Sequence, residues 1–226
     1  MKRKDTIKFT VMLAGLVMIT LSHSACTHNK VSDSSMLIEA SIPYEKKEKI
    51  GDYWEYTCPT PNVHAGKNQV KAIVLHHTAT ESTLSSLKIM TGPKPTGKVS
   101  CHVVIAPDGT RYILAPPESI TWHAGWSMLN GRSNCNRFTV GIEFQGNTLE
   151  HPLTSDQIQS AIDYCLPIMK KYNLKISDIV THKQIREEYL RNHHAKKVPA
   201  KPDITDEEHN RFKKAIKEQI SANVPG

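Results

Sequence analysis

Two short apolar runs in this chain end in histidine, and that limits the folds open to it. Val70 to Leu75 and Ile176 to Thr181 have the length and β-branched content of buried strands, and they lead into His76 and His182. A third run, Val140-Gly141-Ile142-Glu143-Phe144, carries a carboxylate among residues that otherwise pack as core. A buried charge is costly unless it is paired or takes part in chemistry. Three ionisable side chains thus stand at or just past the ends of predicted strands.

The surrounding pattern is that of a mixed domain. Thr83 to Met90 is predicted as a short helix, stopped by Gly92, Pro93 and Pro95. Val99 to Ala106 and Arg111 to Leu114 are predicted strands joined by the turn signal Pro107-Asp108-Gly109, and Phe138 to Phe144 is another strand. Thr154-Ser155-Asp156-Gln157 forms a capping box, after which Ile158, Ala161, Ile162, Cys165, Met169 and Tyr172 recur at helical spacing up to a stop at Asn173. A second box, Thr205-Asp206-Glu207-Glu208, opens a C-terminal helix to about residue 221. No internal repeat is present, and strands and helices do not alternate strictly. The expected class is α/β, a central mixed β-sheet flanked by helices, over residues 68–226.

The N-terminal part reads differently. Lys2, Arg3, Lys4 and Lys8 precede an apolar run from Phe9 to Leu21, which is shorter than the ~20 residues of a membrane span. Ser22, His23, Ser24 and Ala25 then lead to Cys26. Residues 1–25 are therefore expected to be an export signal. The stretch resembles a bacterial lipobox, apart from His23, and implies lipidation of Cys26; the plain alternative is a signal peptide beside an incidental cysteine. Residues 26–67 are expected to be the lipidated Cys and a polar tether, with the charge run Glu45-Lys46-Lys47-Glu48-Lys49 and Pro43, Pro59 and Pro61. Tyr53, Trp54 and Tyr56 are the residues of that stretch suited to packing on the domain. The expected location is outside the cytoplasm, as a periplasmic or cell-surface lipoprotein held to a bacterial envelope membrane by its lipid. Cys58, Cys101, Cys135 and Cys165 would then share an oxidising compartment with their pairing open, although Cys165 on an apolar helix face also reads as a buried thiol.

Chemistry narrows the function. The formal charge of +7 suits an anionic polymer such as nucleic acid, a membrane face or cell wall, but a soluble basic surface would give the same value. No nucleic-acid motif accompanies the charge, so nucleic acid is not expected as a partner. A catalytic zinc takes three protein ligands and keeps a fourth position for water. His76, His182 and Asp203 are candidates for the ligands, and Glu143 and Lys201 for the acid–base and electrostatic pair. Spacing alone leaves this open, because no short zinc signature such as two His at i, i+4 beside a Glu is present.

These residues lie in blocks that resemble the type-2 N-acetylmuramoyl-L-alanine amidases, relatives of phage lysozyme-like amidases and peptidoglycan recognition proteins. The blocks are Ile73-Val74-Leu75-His76-His77-Thr78-Ala79, Ser100-Cys101-His102-Val103-Val104-Ile105 with Asp108-Gly109, Trp122-His123-Ala124-Gly125-Trp126-Ser127, and Gly131 to Glu143. Each is weak alone, but together and in order they are specific. The resemblance covers about residues 70–205. It implies a single zinc amidase domain that cleaves between the lactyl group of N-acetylmuramic acid and L-alanine in peptidoglycan or muropeptides. By position it implies His76, His182 and Asp203 as Zn2+ ligands, Glu143 as general base, and Lys201 at the oxyanion. His102, His123, Arg132 and Asn136 would line the substrate groove, with Arg132 suited to a peptide carboxylate.

A last block, Thr181-His182-Lys183-Gln184-Ile185-Arg186 followed by Lys201-Pro202-Asp203, keeps the His but departs from the family's pattern. Lys201-Pro202-Asp203 arrives later after His182 than the family's pattern has it, across an insert from about Glu187 to Ala200 that contains His193 and His194. The third ligand is therefore Asp203 or one of these two histidines. Plainer readings also stand for several positions. His77 should point to the face opposite His76 and be structural. His102 could be a core histidine, His123 part of an aromatic cluster, Glu143 half of a buried ion pair and Arg132 a surface charge. The competing function is a non-catalytic peptidoglycan-binding module of the same fold, and completeness of the metal set distinguishes the two.

Overall fold

The side chains of the strand Ala72–His77 alternate between two packed faces, and the rest of the fold follows from that. The structure is a computed structural model that describes residues 36–93, 98–193 and 203–222. Its main sheet is built from β1 (Lys46–Ile50), β2 (Tyr53–Thr57), β4 (Ala72–His77), β5 (Val103–Ile105), β6 (Arg111–Ile113), β10 (Thr139–Phe144) and β11 (Ile179–Thr181). Two minor ladders pair β3 (Val63–His64) with β7 (Ile120–Thr121) and β8 (Met128–Leu129) with β9 (Arg132–Ser133). The main sheet runs β1-β2-β6-β5-β10-β4-β11. β5, β10, β4 and β11 are mutually parallel, whereas β6 runs antiparallel to β5 and β1 antiparallel to β2. The sheet is therefore mixed, as expected.

Both faces of the parallel centre are covered, which is why its strands read as continuous apolar runs. On one face Ile73, Leu75, Val140, Ile142 and Phe144 meet Ile158, Ile162 and Cys165 of α2 (Ser155–Tyr172) and Phe212 and Ile216 of α4 (Asp206–Ala222). Each fully buried aliphatic or aromatic side chain of this kind is worth about 1.5–3 kcal/mol. On the other face Val74 packs with Ala124, Cys135, Phe138 and Ile185. A third cluster joins Tyr56, Cys58, Cys101, Val104 and Tyr112 to Leu87 and Met90 of α1 (Thr83–Thr91).

The first capping box forms as predicted. Thr154 accepts from Gln157 N while the Gln157 side chain accepts from Thr154 N, and the helix ends at Asn173 in the left-handed region with φ 53°. The second forms only in half: Thr205 Oγ1 accepts from Glu208 N, but Thr205 N donates to Thr148 Oγ1 and Glu208 Oε2 accepts from Leu153 N.

The stretch expected to be a tether is folded from residue 36 onward. Residues 36–41 are helical, and β1 and β2 extend the main sheet. The charge run is the outer edge strand, whose exposed lysines blunt an otherwise open row of backbone donors and acceptors. β2 is held by a pair remote in sequence: Glu55 lies in register with Arg111, and Glu55 Oε2 stands 2.8 Å from Arg111 Nε. Tyr56 stacks on Tyr112 with centroids 5.2 Å apart. The insert carries no secondary structure predicted from the sequence. Its first part is helical, in α3 (His182–Asn192), which opens on a Thr181/Gln184 capping box. The strand predicted over 176–181 begins instead as a 3-10 turn, Ile176–Asp178.

Cys58, Cys101, Cys135 and Cys165 are all buried thiols. Among the described residues no helix is long and apolar enough to cross a membrane. The expected export signal, Cys26, His194 and Lys201 lie outside the described residues.

Candidate metal centre and groove

Strand register brings the three strand-end groups together. Glu143 of β10 is in register with His76 of β4 on parallel strands, so both project from the same face. Thr181 of β11 is in register with Leu75, which places His182, the first residue of α3, beside His76. All three stand at or just past the C-terminal ends of parallel strands, where open α/β sheets form their clefts. Asp203 arrives from the segment that leads into α4.

His182 Nδ1 lies 2.9 Å from Asp203 Oδ2, and His76 Nδ1 lies 3.4 Å from the same oxygen. The other carboxylate oxygen, Oδ1, accepts from the backbone amides of His77 at 2.8 Å and Ile204 at 2.9 Å. These amides fix the carboxylate plane and aim Oδ2 at the two imidazoles. Burial alone would raise the Asp203 pKa, but the His182 and His76 imidazoles beside it outweigh that and hold the carboxyl well below the usual range. The three donor atoms lie within 4.8 Å of one another, and all three residues are buried. The 2.9 and 3.4 Å separations approach the edge of a tetrahedron with ~2 Å bonds, and two neutral nitrogens with one anionic oxygen is a donor set that zinc takes. The residues fit that ion. His193 is elsewhere: it caps α3, exposed and stacked on Tyr189. His77 turns to the opposite face, where its Nδ1 accepts from Thr148 N at 3.0 Å.

The groove above this cluster has a volume of about 330 Å³, and His123, Asn136, Glu143 and His182 lie along it with Trp122 and Arg186. Glu143 is only 6% exposed and reaches the groove from the sheet. His123 touches the cluster directly, its Nδ1 lying 3.0 Å from His76 Nε2. Burial, and then the neighbouring His76, hold its pKa well below the usual histidine value.

Two groove expectations, His102 and Arg132, need correction, and a third, Asn136, lines the groove as expected. His102 does not line the groove. It is fully buried at the start of β5, its Nε2 donates to Ser119 O, and its Nδ1 accepts from Gly141 N at 2.9 Å. Burial pushes its pKa down to about 4, so it is a neutral core histidine. Asn136 does border the groove, but its Oδ1 is spent on the backbone amides of His123 and Ala124, at 3.1 and 2.8 Å. It pins the loop that carries His123. Arg132 lies over the Phe138 ring, donates to Gln69 Oε1, and borders a separate cavity with Lys71 and Asp178.

Among the described residues, the cations that line the groove are Lys98 and Arg186, both overlooked in the sequence. Arg186 follows His182 by one helical turn of α3 and donates to Trp126 O at 2.9 Å. Reading residues 182–192 as a helix would have put it on the face of His182. Trp126, 70% exposed, stands at the rim.

Comparison with known proteins agrees with this geometry. Residues 66–201 match the Amidase_2 family, described as N-acetylmuramoyl-L-alanine amidase. The chain is 28% identical over 132 residues to N-acetylmuramoyl-L-alanine amidase AmiD of Escherichia coli (strain K12), covering 52% of this chain and 46% of that protein. It is 32% identical over 90 residues to 1,6-anhydro-N-acetylmuramyl-L-alanine amidase AmpD of Enterobacter cloacae, covering 40% of this chain and 48% of that one. The chain thus spans about half the length of the curated relatives it matches. In fold it resembles the crystal structure of an AmpD derivative, with a TM-score of 0.54 and 21% identity over 69% of this chain and 92% of that one. It also resembles the solution structure of the PlyG catalytic domain, with a TM-score of 0.52 and 16% identity over 76% of this chain and 99% of that one.

Proposed function

The chain belongs to the N-acetylmuramoyl-L-alanine amidase family, and we propose that it hydrolyses the amide between the lactyl group of N-acetylmuramic acid and L-alanine in peptidoglycan or its muropeptide fragments. One observation carries this reading: a buried donor set of two imidazoles and a carboxylate opens, through His182, on a groove that a second carboxylate, Glu143, also lines.

His76, His182 and Asp203 would hold zinc. When bound, the ion would polarise the substrate carbonyl and lower the pKa of its water towards ~7. Glu143 accepts one proton of the attacking water and returns it to the leaving amine; the water's other proton stays on the new carboxyl, and at neutral pH it passes to the amine, so the lactyl side ends as a carboxylate and L-alanine as an ammonium. Its burial shields that transfer from bulk water. Lys201, two positions before Asp203 in the sequence, is assigned to steady the negative oxygen that forms in the transition state. His123 and Trp122 wall the groove.

Export and lipidation at Cys26 belong to the same proposal and are supported by the basic, apolar and small-residue order of the N-terminus. Loss of labelled fatty acid incorporation in Cys26→Ser is the check.

The test of function is zinc content together with peptide release from muropeptides, in the purified chain and in Asp203→Ala. One zinc per chain with amidase activity, both lost in the variant, is the expected result. A parent chain that binds peptidoglycan but holds no zinc and releases no peptide would make it a binding module instead.

A further inference from the structure

We propose that His123 and Thr139 are positioning residues that set the tautomer of His76, leaving its Nδ1 with the lone pair that a metal takes. The inference rests on the zinc reading above and deepens it.

The relay begins at the backbone carbonyl of Cys135, which can only accept. Thr139 Oγ1 donates to it at 2.8 Å, which commits the single hydroxyl proton. Toward its other neighbour, His123 Nε2 at 3.2 Å, the Thr139 hydroxyl is then an acceptor. His123 therefore carries its proton on Nε2. Its ring is buried between His76 and His102, with centroids 5.2 and 5.8 Å away, where a second proton would place a charge beside two more imidazoles. His123 Nδ1 is thus a lone pair, and it faces His76 Nε2 at 3.0 Å. His76 must donate from Nε2. A neutral imidazole with its proton there has its lone pair on Nδ1, the atom that stands 3.4 Å from Asp203 Oδ2.

The relay is held in place from two sides. Asn136 Oδ1 accepts from the backbone amides at 123 and 124 and fixes the loop. Thr139 and Gly141 both belong to β10, so one strand supplies the relay's anchor and the surface on which the ring lies. A partner behind a ligating histidine both orients the ring and raises its basicity, and its loss costs about 10–100-fold in metal affinity.

The experiment measures zinc affinity by chelator competition and reads the imidazole tautomers from long-range proton–nitrogen spectra of the metal-free protein. The variants are His123→Phe, His123→Asn, Thr139→Val and Thr139→Ser, each checked for a cooperative melt. The parent is expected to show His76 and His123 both protonated on Nε2. His123→Phe, which keeps a ring but no acceptor, should weaken zinc by about 10–100-fold. His123→Asn restores an acceptor near Nδ1 and should recover most of that loss. Thr139→Val should take His123 out of its single tautomer and weaken zinc, while Thr139→Ser should behave as the parent. A parent spectrum with His76 protonated on Nδ1 overturns the proposal. So does zinc affinity unchanged in a folded His123→Phe or, should that variant fail to fold, in Thr139→Val. A parent that binds no zinc overturns the zinc reading instead, and the metal-free spectra distinguish the two failures.

Discussion

The imidazole of His123 lies directly against Gly141: a Cβ at position 141 would stand 2.5 Å from its Cγ and 2.6 Å from its Nδ1. Backbone lies beneath the ring and His76 beside it, so the ring cannot yield without leaving His76. Gly141→Ala is therefore expected to cost about 1–3 kcal/mol of stability through overpacking. It should also weaken zinc binding more than a destabilised but intact site would. Urea unfolding paired with a zinc titration checks both.

Glu143→Gln keeps the shape of the side chain and removes its capacity to take a proton. The expected outcome is a fall in kcat of about 10²–10⁴ with zinc content unchanged. Steady-state kinetics on a muropeptide and elemental analysis of the same sample provide the measurement. A variant that loses its zinc would show that Glu143 holds the metal site together and is not acting as a base.

Arg186 lines the groove and Arg132 does not. Substrates with free stem-peptide carboxylates should therefore bind less well to Arg186→Ala, with KM rising about tenfold, equivalent to ~1.4 kcal/mol. Arg132→Ala should leave KM where it is. Kinetics with a muropeptide and its amidated counterpart separate a charge contact from a general loss of fit.

His102 supplies a pH signature. Its pKa is pushed down to about 4 in the folded chain, mainly by burial, against 6.5 for the exposed group. Between those values the unfolded chain binds a proton that the folded chain does not, so stability rises with pH. The contribution is complete above about pH 6.5 and is lost as pH falls towards 4; at ~1.4 kcal/mol per unit it amounts to about 3 kcal/mol. Urea midpoints of the metal-free protein across this window should fall steeply, and less so in a folded His102→Asn.

What could be read from the sequence was what the chain encodes locally. The parallel centre announced itself because strands buried on both faces must be apolar throughout, and α2 because Thr154 and Gln157 satisfy each other's backbone donors. His76, His182 and Asp203 were legible from the motif blocks, and the structure gathers all three. β1 and β2 were hidden because one is a charged edge and the other is fixed by Arg111, far along the chain. His102, carried over from the resemblance, is on the same face of the sheet as Glu143, since it lies two residues before Val104, which is in register with Glu143. Its depth was not legible: it sits level with Gly141, short of the strand ends where the groove opens. Arg132 was misplaced for a similar reason, because its contacts with Gln69 and Phe138 depend on how separate segments fold together.

The parallel pairing of β10 and β11 with β4 has a consequence for when the site comes into being. The strands come from separate parts of the chain, and each pairing must close a long loop before it gains any contact. His76, His182 and Asp203 are correspondingly scattered in sequence, so the three donors meet only once the centre of the sheet has assembled and the lead-in to α4 has docked. An ion captured that late adds nothing to the early steps of folding. It acts on the reverse process, as a latch that slows unfolding, so metal loss should shorten the lifetime of the folded chain far more than it slows refolding.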